Sequence, residues 1–498
     1  MTIFLNIIIF SKFDEQIYFQ IIGNINRSFM DIDNFRKVFE PEVSKIMADY
    51  KVPGMSIFIT KDQETIYSRA YGLRQKNQVK PATIDTLYGI SSITKAFTCL
   101  GILQLHQKKK LNILDPISQY LPISLDFKDD PVTIQQLMSH NSGIPSLHSL
   151  VFTQMNQGLY ESKIKTYPLG NWDDFYHHLN GAQSEIKFSP GKKYYYWNGG
   201  FVLLGQIIEK ISGISYEDYI KTNILTPLNM NRSSVTYEKS KTDMDCAVGY
   251  NYKSLGSDFD RAPKEFLTGP FISASAGIIS SVSELTNFLH LLLNKGEFNG
   301  SQILTKELIS EMFRPHNENI ASKPLEFIAN AKQSYGYGLK IYDNYYGYTI
   351  ITHSGISGVT GGNIAIIPEL NLTFSQLYNV SWLPPVLMHT ALILLLGKNP
   401  IQIMPYYKRR QHYARLSGTY EAYRKIITLK ITEKEGMLHL QDDNWQESES
   451  FPLIPRNNDS EVMEFYTIYP GGIIDIPFTF HDNGEITFDY ERYIMHKA

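Results

Sequence analysis

The sequence predicts an α+β fold followed by a small all-β barrel, and three observations carry that expectation. Hairpin-like runs near the amino end, "MSIFIT" and "TIYSRAYG", precede a long helical stretch. Strand-like runs return only with "YGYGLKIYD". From about residue 413 onward, short alternating runs replace helical periodicity. The size agrees: 498 residues suggest two to three domains, and 43% hydrophobic against 19% charged residues is an ordinary globular balance.

Residues 1–29 open with "MTIFLNIIIF", an apolar run with no basic residue before it and no small-residue cleavage pattern after it. They read as an extension outside the fold rather than a signal peptide, and the run is too short to span a bilayer. Met30 is an equally good start. In residues 31–50, Phe35, Val38, Phe39, Val43, Ile46 and Met47 recur at helical spacing and stop at "VPG". "MSIFIT" and "TIYSRAYG" flank the polar "KDQE", a hairpin signature. Next, Ala96, Phe97, Leu100 and Leu103 share one face of a helix that Ser92 opens. "ILDPISQYLP" follows, then a helix opened by "TIQQLMSHNSGIP", then a Tyr-, Asn- and Gly-rich region to about residue 195. "GGFVLLGQIIEKISG" reads as an amphipathic helix closed by Gly213, and "SELTNFLHLLLNKGEF" as another. The strand-like runs are "YGYGLKIYD", "YTIITHSG" and "GNIAIIPEL". "PVLMHTALILLL" is too short for a membrane span and reads as a buried terminal helix. A composition change near residue 400 separates a 30–400 domain from a 401–498 domain. In the latter, "IITLKIT", "MLHLQ", "DIPFTFH" and "ITFDY" alternate between "EKEG", "YPGG" and "DNGE" turns, as in a small antiparallel barrel.

A formal net charge of -3 gives no electrostatic reason to expect a nucleic-acid partner, and Lys108–Lys110 reads as a solvated helix end. The two cysteines, Cys99 and Cys246, make no disulfide framework. Metal-ligand spacings, HExxH and the Walker loop are absent, so no metal or cofactor is expected, and His177 and His178 read as surface or packing residues. Without a leader or a span, the expected location is cytoplasmic.

Four Ser-x-x-Lys pairs occur: Ser92/Lys95, Ser162/Lys165, Ser184/Lys187 and Ser189/Lys192. Only the first opens a strong helix, where i,i+3 spacing places hydroxyl and amine on one face and the free amides suit an oxyanion. A lysine desolvated there has a lowered pKa and can take the serine proton. Tyr196 in "YYYWNGG" directly precedes a buried helix, whereas Tyr342 in "YDNYYG" reads as a hairpin turn. His353 in "THSGISG" ends a strand-like run and forms the one His-x-Gly in the chain.

In this order and spacing the three elements resemble the serine hydrolases of the β-lactamase and penicillin-binding-protein superfamily. The nearest branch is class C β-lactamases with related D-amino-acid peptidases and esterases. The resemblance covers residues 31–397 and includes "LDPISQYLP", "QQLMSHNSGIP", "SPGKKYYYWNGGFVLLGQIIEKISG", "SAGIISSVSELTNFL" and "YGYGL". It implies an antiparallel sheet flanked by helices, with a helical subdomain. It further implies Ser92 as nucleophile, Lys95 as proton acceptor or orienter, and Tyr196 sharing the acid/base role. Asn198 would bind the substrate amide or Lys95. His353 stands where many members have the lysine of Lys-Thr-Gly, with Ser354 and Gly355 completing the motif. The amides of Ser92 and Ile356 would form the oxyanion hole. An imidazole in place of the lysine predicts carboxylate recognition that strengthens as pH falls. The implied activity is acyl-enzyme hydrolysis of a D-amino-acid or small peptide. Carboxylesterase is the alternative, ahead of β-lactamase or a non-catalytic ligand-binding protein. The tail resembles the lipocalin-like barrel of some peptidase-like members, which implies a role at the active-site entrance or in homo-oligomer assembly.

Overall fold

The first helix, α1 (Ile32–Asp49), starts where the Asp31 carboxylate accepts from the Asp33 and Asn34 amides, and it buries Phe35, Val38, Phe39, Val43 and Ile46. The chain then forms β1 (Gly54–Lys61) and β2 (Glu64–Gln75) around Asp62 and Gln63. Both turn residues have positive φ, 52° and 66°, the handedness that suits strand twist in a two-residue hairpin. The computed structural model describes residues 29–146, 169–235, 242–252, 261–264, 269–317, 331–434, 436–442, 449–457, 459, 461–469 and 472–498. Apart from Phe29, the expected 1–29 extension lies outside them.

The main sheet adds β3 (Lys80–Pro81), β4 (Lys332–Tyr335), β5 (Lys340–Tyr345), β6 (Tyr348–Ile356), β7 (Gly361–Ile367) and β8 (Leu372–Tyr378). Its order is β4-β5-β6-β7-β8-β1-β2-β3, with antiparallel neighbours throughout. The terminal strands therefore meet the first hairpin at the centre, where β8 pairs β1. "YDNYYG" departs from the plain turn expected of it. Tyr342, Asp343 and Asn344 lie in β5, whose register with β6 shifts between Tyr342 and Tyr345. Asn344 absorbs that irregularity at φ 59°, and the turn itself is Tyr346 and Gly347.

The helical layer contains α2 (Thr94–Gln107), α3 (Ile134–Met138), α4 (Trp172–Asn180), α5 (Asn198–Ser212), α6 (Pro270–Ala276) and α7 (Val282–Leu293). α3 opens with a reciprocal capping box between Thr133 and Gln136, and α5 closes on Gly213 at φ 76°. α4 and α6 were not expected, because each is short and α4 lies in the polar Tyr-, Asn- and Gly-rich region. "PVLMHTALILLL" is the buried helix α8 (Val386–Leu395). Among the described residues no helix is long and apolar enough to cross a membrane.

Two compact units emerge, one containing Met30–Pro324 and Asn330–Leu392, the other containing Ile393–Ala498. The second unit holds a closed barrel of eight strands between Gly418 and Lys497. It closes where Tyr420 pairs Lys497 and Glu421 pairs His496, so neither end leaves an open edge. Tyr420, Leu429, Leu440, Phe465, Phe478 and Phe488 fill the interior. The four alternating runs lie in strands of this barrel, and the other four strands were not anticipated. Nor was the helix Pro405–Leu416, whose charged "KRRQ" segment hides the burial of Tyr407, His412, Tyr413 and Leu416.

Candidate active site

Ser92 does not open the α-helix as expected. It lies in a 3₁₀ turn, Ser91–Ile93, and α2 begins at Thr94. Every α2 residue from Thr94 to Leu105 is buried, so the lysine at its head has no surface to reach. Lys95 is 0% exposed. Its Nζ donates to Ser92 Oγ at 3.0 Å and to the Ser275 carbonyl at 2.9 Å. Ser275 is near the end of α6, where helical carbonyls lack an intrahelical donor and are free to accept. Burial pushes the Lys95 pKa well below its ordinary value, with only the neighbouring Cys99 opposing.

The turn is anchored to the sheet. Ser91 has φ 49°, and its hydroxyl donates to the Ile356 carbonyl at 2.6 Å. A Cβ on Gly355 would lie 2.0 Å from the Ile90 carbonyl oxygen, so only glycine lets β6 approach the Ser91–Ile93 turn this closely. The β5 ladder reaches β6 only as far as Lys340 opposite Thr352, which stops it short of Ser354, Gly355 and Ile356.

Tyr196 sits just before α5, and its ring centroid lies 4.9 Å from Lys95 Nζ. Burial raises the phenol pKa, and a hydrogen bond with Ser92 partly offsets this. Asn198 begins α5, and its buried Oδ1 has no partner among the described residues. Of the two partners expected for Asn198, a substrate amide or Lys95, the hydrogen bonds of Lys95 go to Ser92 and Ser275 instead. Ser354 turns its hydroxyl to Asn363 Oδ1 at 2.8 Å.

His353 departs from the expected role. It is 2% exposed, with Nδ1 2.8 Å from the Ser354 carbonyl and Nε2 3.0 Å from the Tyr335 hydroxyl. A carbonyl only accepts, so Nδ1 carries the proton and Nε2 accepts from Tyr335. A neutral imidazole has one donor and one acceptor, and both are used. Burial, then the Lys340 ammonium, hold its pKa well below the ordinary value. Its environment thus disfavours the charged form on which pH-dependent carboxylate recognition would depend.

Two side chains missed in the sequence lie in the same neighbourhood. Lys340, directly after "YGYGL", starts β5. Its ammonium lies close enough to depress both His353 and His140, its own pKa is lowered by burial, and it has no hydrogen-bond or ion-pair partner among the described residues. His140, inside the quoted "SHNSG", is 2% exposed and 4.1 Å from the Tyr196 ring, centroid to centroid. A lone lysine after a glycine-rich turn and a lone histidine in a polar loop carry no spacing signal.

The Beta-lactamase family model matches residues 39–397, and the Pab87 octamerisation domain model matches residues 400–496. The solved octameric penicillin-binding protein homologue from Pyrococcus abyssi is similar over 94% of this chain and 100% of its own, at 33% identity and a TM-score of 0.79. The penicillin-binding protein structure from Bacillus halodurans shares the fold at 23% identity and a TM-score of 0.55, over 71% of this chain and 98% of its own. Protein flp of Staphylococcus aureus is 30% identical over 49% of this chain and 46% of its own length. Penicillin-binding protein 4* of Bacillus subtilis is 28% identical over 40% of this chain and 41% of its own length. The chain thus spans less than half the length of these curated relatives.

Proposed function

The chain belongs to the Beta-lactamase family, and from that premise we propose that it cleaves a peptide bond beside a free carboxylate through an acyl-enzyme on Ser92. The carrying observation is that Lys95, whose pKa burial lowers, lies 3.0 Å from Ser92 Oγ, while Lys340, whose ammonium has no partner among the described residues, stands next to His353.

The opposite pKa shifts divide the labour. A lysine held below its ordinary pKa is a neutral amine with a lone pair, which accepts the proton of Ser92 Oγ–H while an N–H stays on the Ser275 carbonyl. A phenol held above its ordinary pKa stays protonated, so Tyr196 acts as donor rather than base. The Ser92 oxygen attacks the carbonyl carbon, and the oxyanion rests on the Ser92 and Ile356 amides. The proton on Lys95 passes through Tyr196 to the leaving nitrogen as the amide bond breaks. Water then repeats the sequence on the ester to release the acid and restore Ser92. Asn198 Oδ1 accepts from a substrate amide N–H, and the free edge of Ser354–Ile356 aligns the substrate backbone. Lys340 reads the terminal carboxylate, which in turn restores the full charge that burial disfavours.

The substrate is a D-amino-acid-containing or other short peptide. We read the domain boundary near residue 400, a reading supported by matches to residues 39–397 and 400–496, and the barrel as the part that assembles the chain into a homo-oligomer, in line with the octamerisation domain it matches.

The test compares a peptide with its carboxyl-terminal amide, on the native chain and on Lys340→Met. The native chain is expected to favour the free acid, and Lys340→Met to raise KM for the acid about 10- to 100-fold, the worth of a charge-assisted bond, while sparing the amide. Equal losses on both substrates would remove carboxylate recognition and favour the carboxylesterase reading.

A further inference from the structure

We propose that His140 is the positioning residue that holds Tyr196 against Ser92 and Lys95. The proposal rests on the reading of Tyr196 as the proton donor.

Tyr196 has covalent neighbours on both sides, and His140 grips both. The His140 carbonyl accepts from the Tyr195 amide at 2.9 Å, and its Nδ1 accepts from the Trp197 amide at 3.1 Å. Between these two anchors the imidazole lies against the Tyr196 ring, centroids 4.1 Å apart and planes 42° from parallel. The same ring is 5.0 Å from Phe201, which itself lies 5.5 Å from Lys95 Nζ. On its remaining side it meets Tyr335, 4.9 Å away, the residue whose hydroxyl holds His353. One imidazole thus touches the tyrosine, the wall beside the lysine and the support of β6.

Two locally unfavourable features coincide at this residue. Its φ is 55°, a left-handed conformation in which histidine is commoner than most non-glycine residues. Because Nδ1 accepts, the neutral ring carries its proton on Nε2, and that buried atom has no hydrogen-bond partner among the described residues. The Trp197 bond explains an acceptor at this place, but not a ring whose second nitrogen is buried without a partner among the described residues. A catalytic group oriented by a third residue accounts for both costs, in the way a base is oriented in a nucleophile–base pair.

The variant His140→Asn suits the positive φ and removes the ring, and it is measured alone and in a Tyr196→Phe background. The readouts are hydrolysis of ethyl acetate, whose alkoxide leaving group needs a proton, and labelling by a fluorophosphonate, which counts the Ser92 sites to which the hydrolysis rate is normalised. His140→Asn is expected to lower kcat per titrated site about 10- to 100-fold with KM changed less than about twofold. In the Tyr196→Phe background the same substitution is expected to cost less than about twofold, because residues acting through one group are non-additive. Equal losses in both backgrounds would show that His140 does not act through Tyr196 and would overturn the proposal. A kcat per titrated site that stays native, with only the folded fraction reduced, would overturn it too. If Tyr196→Phe alone leaves hydrolysis unchanged, the proton-donor reading fails and the positioning role fails with it.

Discussion

Lys95 Nζ lies 3.0 Å from Ser92 Oγ and 2.9 Å from the Ser275 carbonyl oxygen, and among the described residues its hydrogen bonds go to these two neutral oxygens alone. A buried ammonium without a carboxylate is strongly disfavoured, so this setting favours the neutral amine, the form that the proposed activation of Ser92 requires.

The pH dependence follows from that sign. Because the folded pKa of Lys95 is lowered, the fraction of neutral base rises with pH through that lowered value, and acylation should climb with it and level off well below pH 10.5. Lys95→Arg should not rescue the activity lost in Lys95→Met, since guanidinium remains protonated. Both variants should lose at least about 1000-fold in kcat/KM, as for other groups of a nucleophile unit. Rescue by arginine would show that charge, not proton transfer, is what the position needs.

Acid should unfold the protein through its buried histidines. His140 and His353 are held well below 6.5, and His389 at about 3, all chiefly by burial. Below pH 6.5 the unfolded chain therefore binds more protons than the folded one, so stability falls as pH falls through that region. Each histidine contributes at most about 1.4 kcal/mol per pH unit. Thermal melts between pH 7 and 5 should show Tm dropping, with a shallower drop in His389→Gln. A Tm independent of pH over that range would mean the histidines are charged when folded.

Gly205 tests the route from packing to chemistry. A Cβ there would stand 2.6 Å from the Ala274 Cβ, on the helix whose Ser275 carbonyl holds Lys95. Alanine improves helix propensity by about 1 kcal/mol, but overpacking costs about 1–3 kcal/mol. The displaced neighbour is a short side chain on a helix, so the clash should win. Gly205→Ala should lower the urea midpoint and slow acylation. A more stable and fully active variant would show that the two helices separate freely.

Much of this architecture was legible because its signals are periodic. α1, the first hairpin and α5 announce themselves by spacing and by their stop residues Pro53, Gly54 and Gly213. Ser92, Lys95 and Tyr196 were legible because each abuts a strongly apolar helix, and the fold brings them together. The His353 environment was not, because nothing near it in sequence announces that Tyr335 and the Ser354 carbonyl occupy both ring nitrogens. Lys340 becomes notable only when β5 stops beside His353, and His140 only when its loop closes over Tyr196. Such contacts are made across the fold, and local spacing cannot encode them.

The most direct measurement is the site of covalent modification. The intact chain is treated with a fluorophosphonate, digested, and the adduct located by mass spectrometry. The expected result is one adduct on the peptide carrying Ser92, lost in Ser92→Ala and strongly slowed in Lys95→Met. An adduct that persists in Ser92→Ala and disappears in Ser189→Ala would contradict the assignment of the nucleophile.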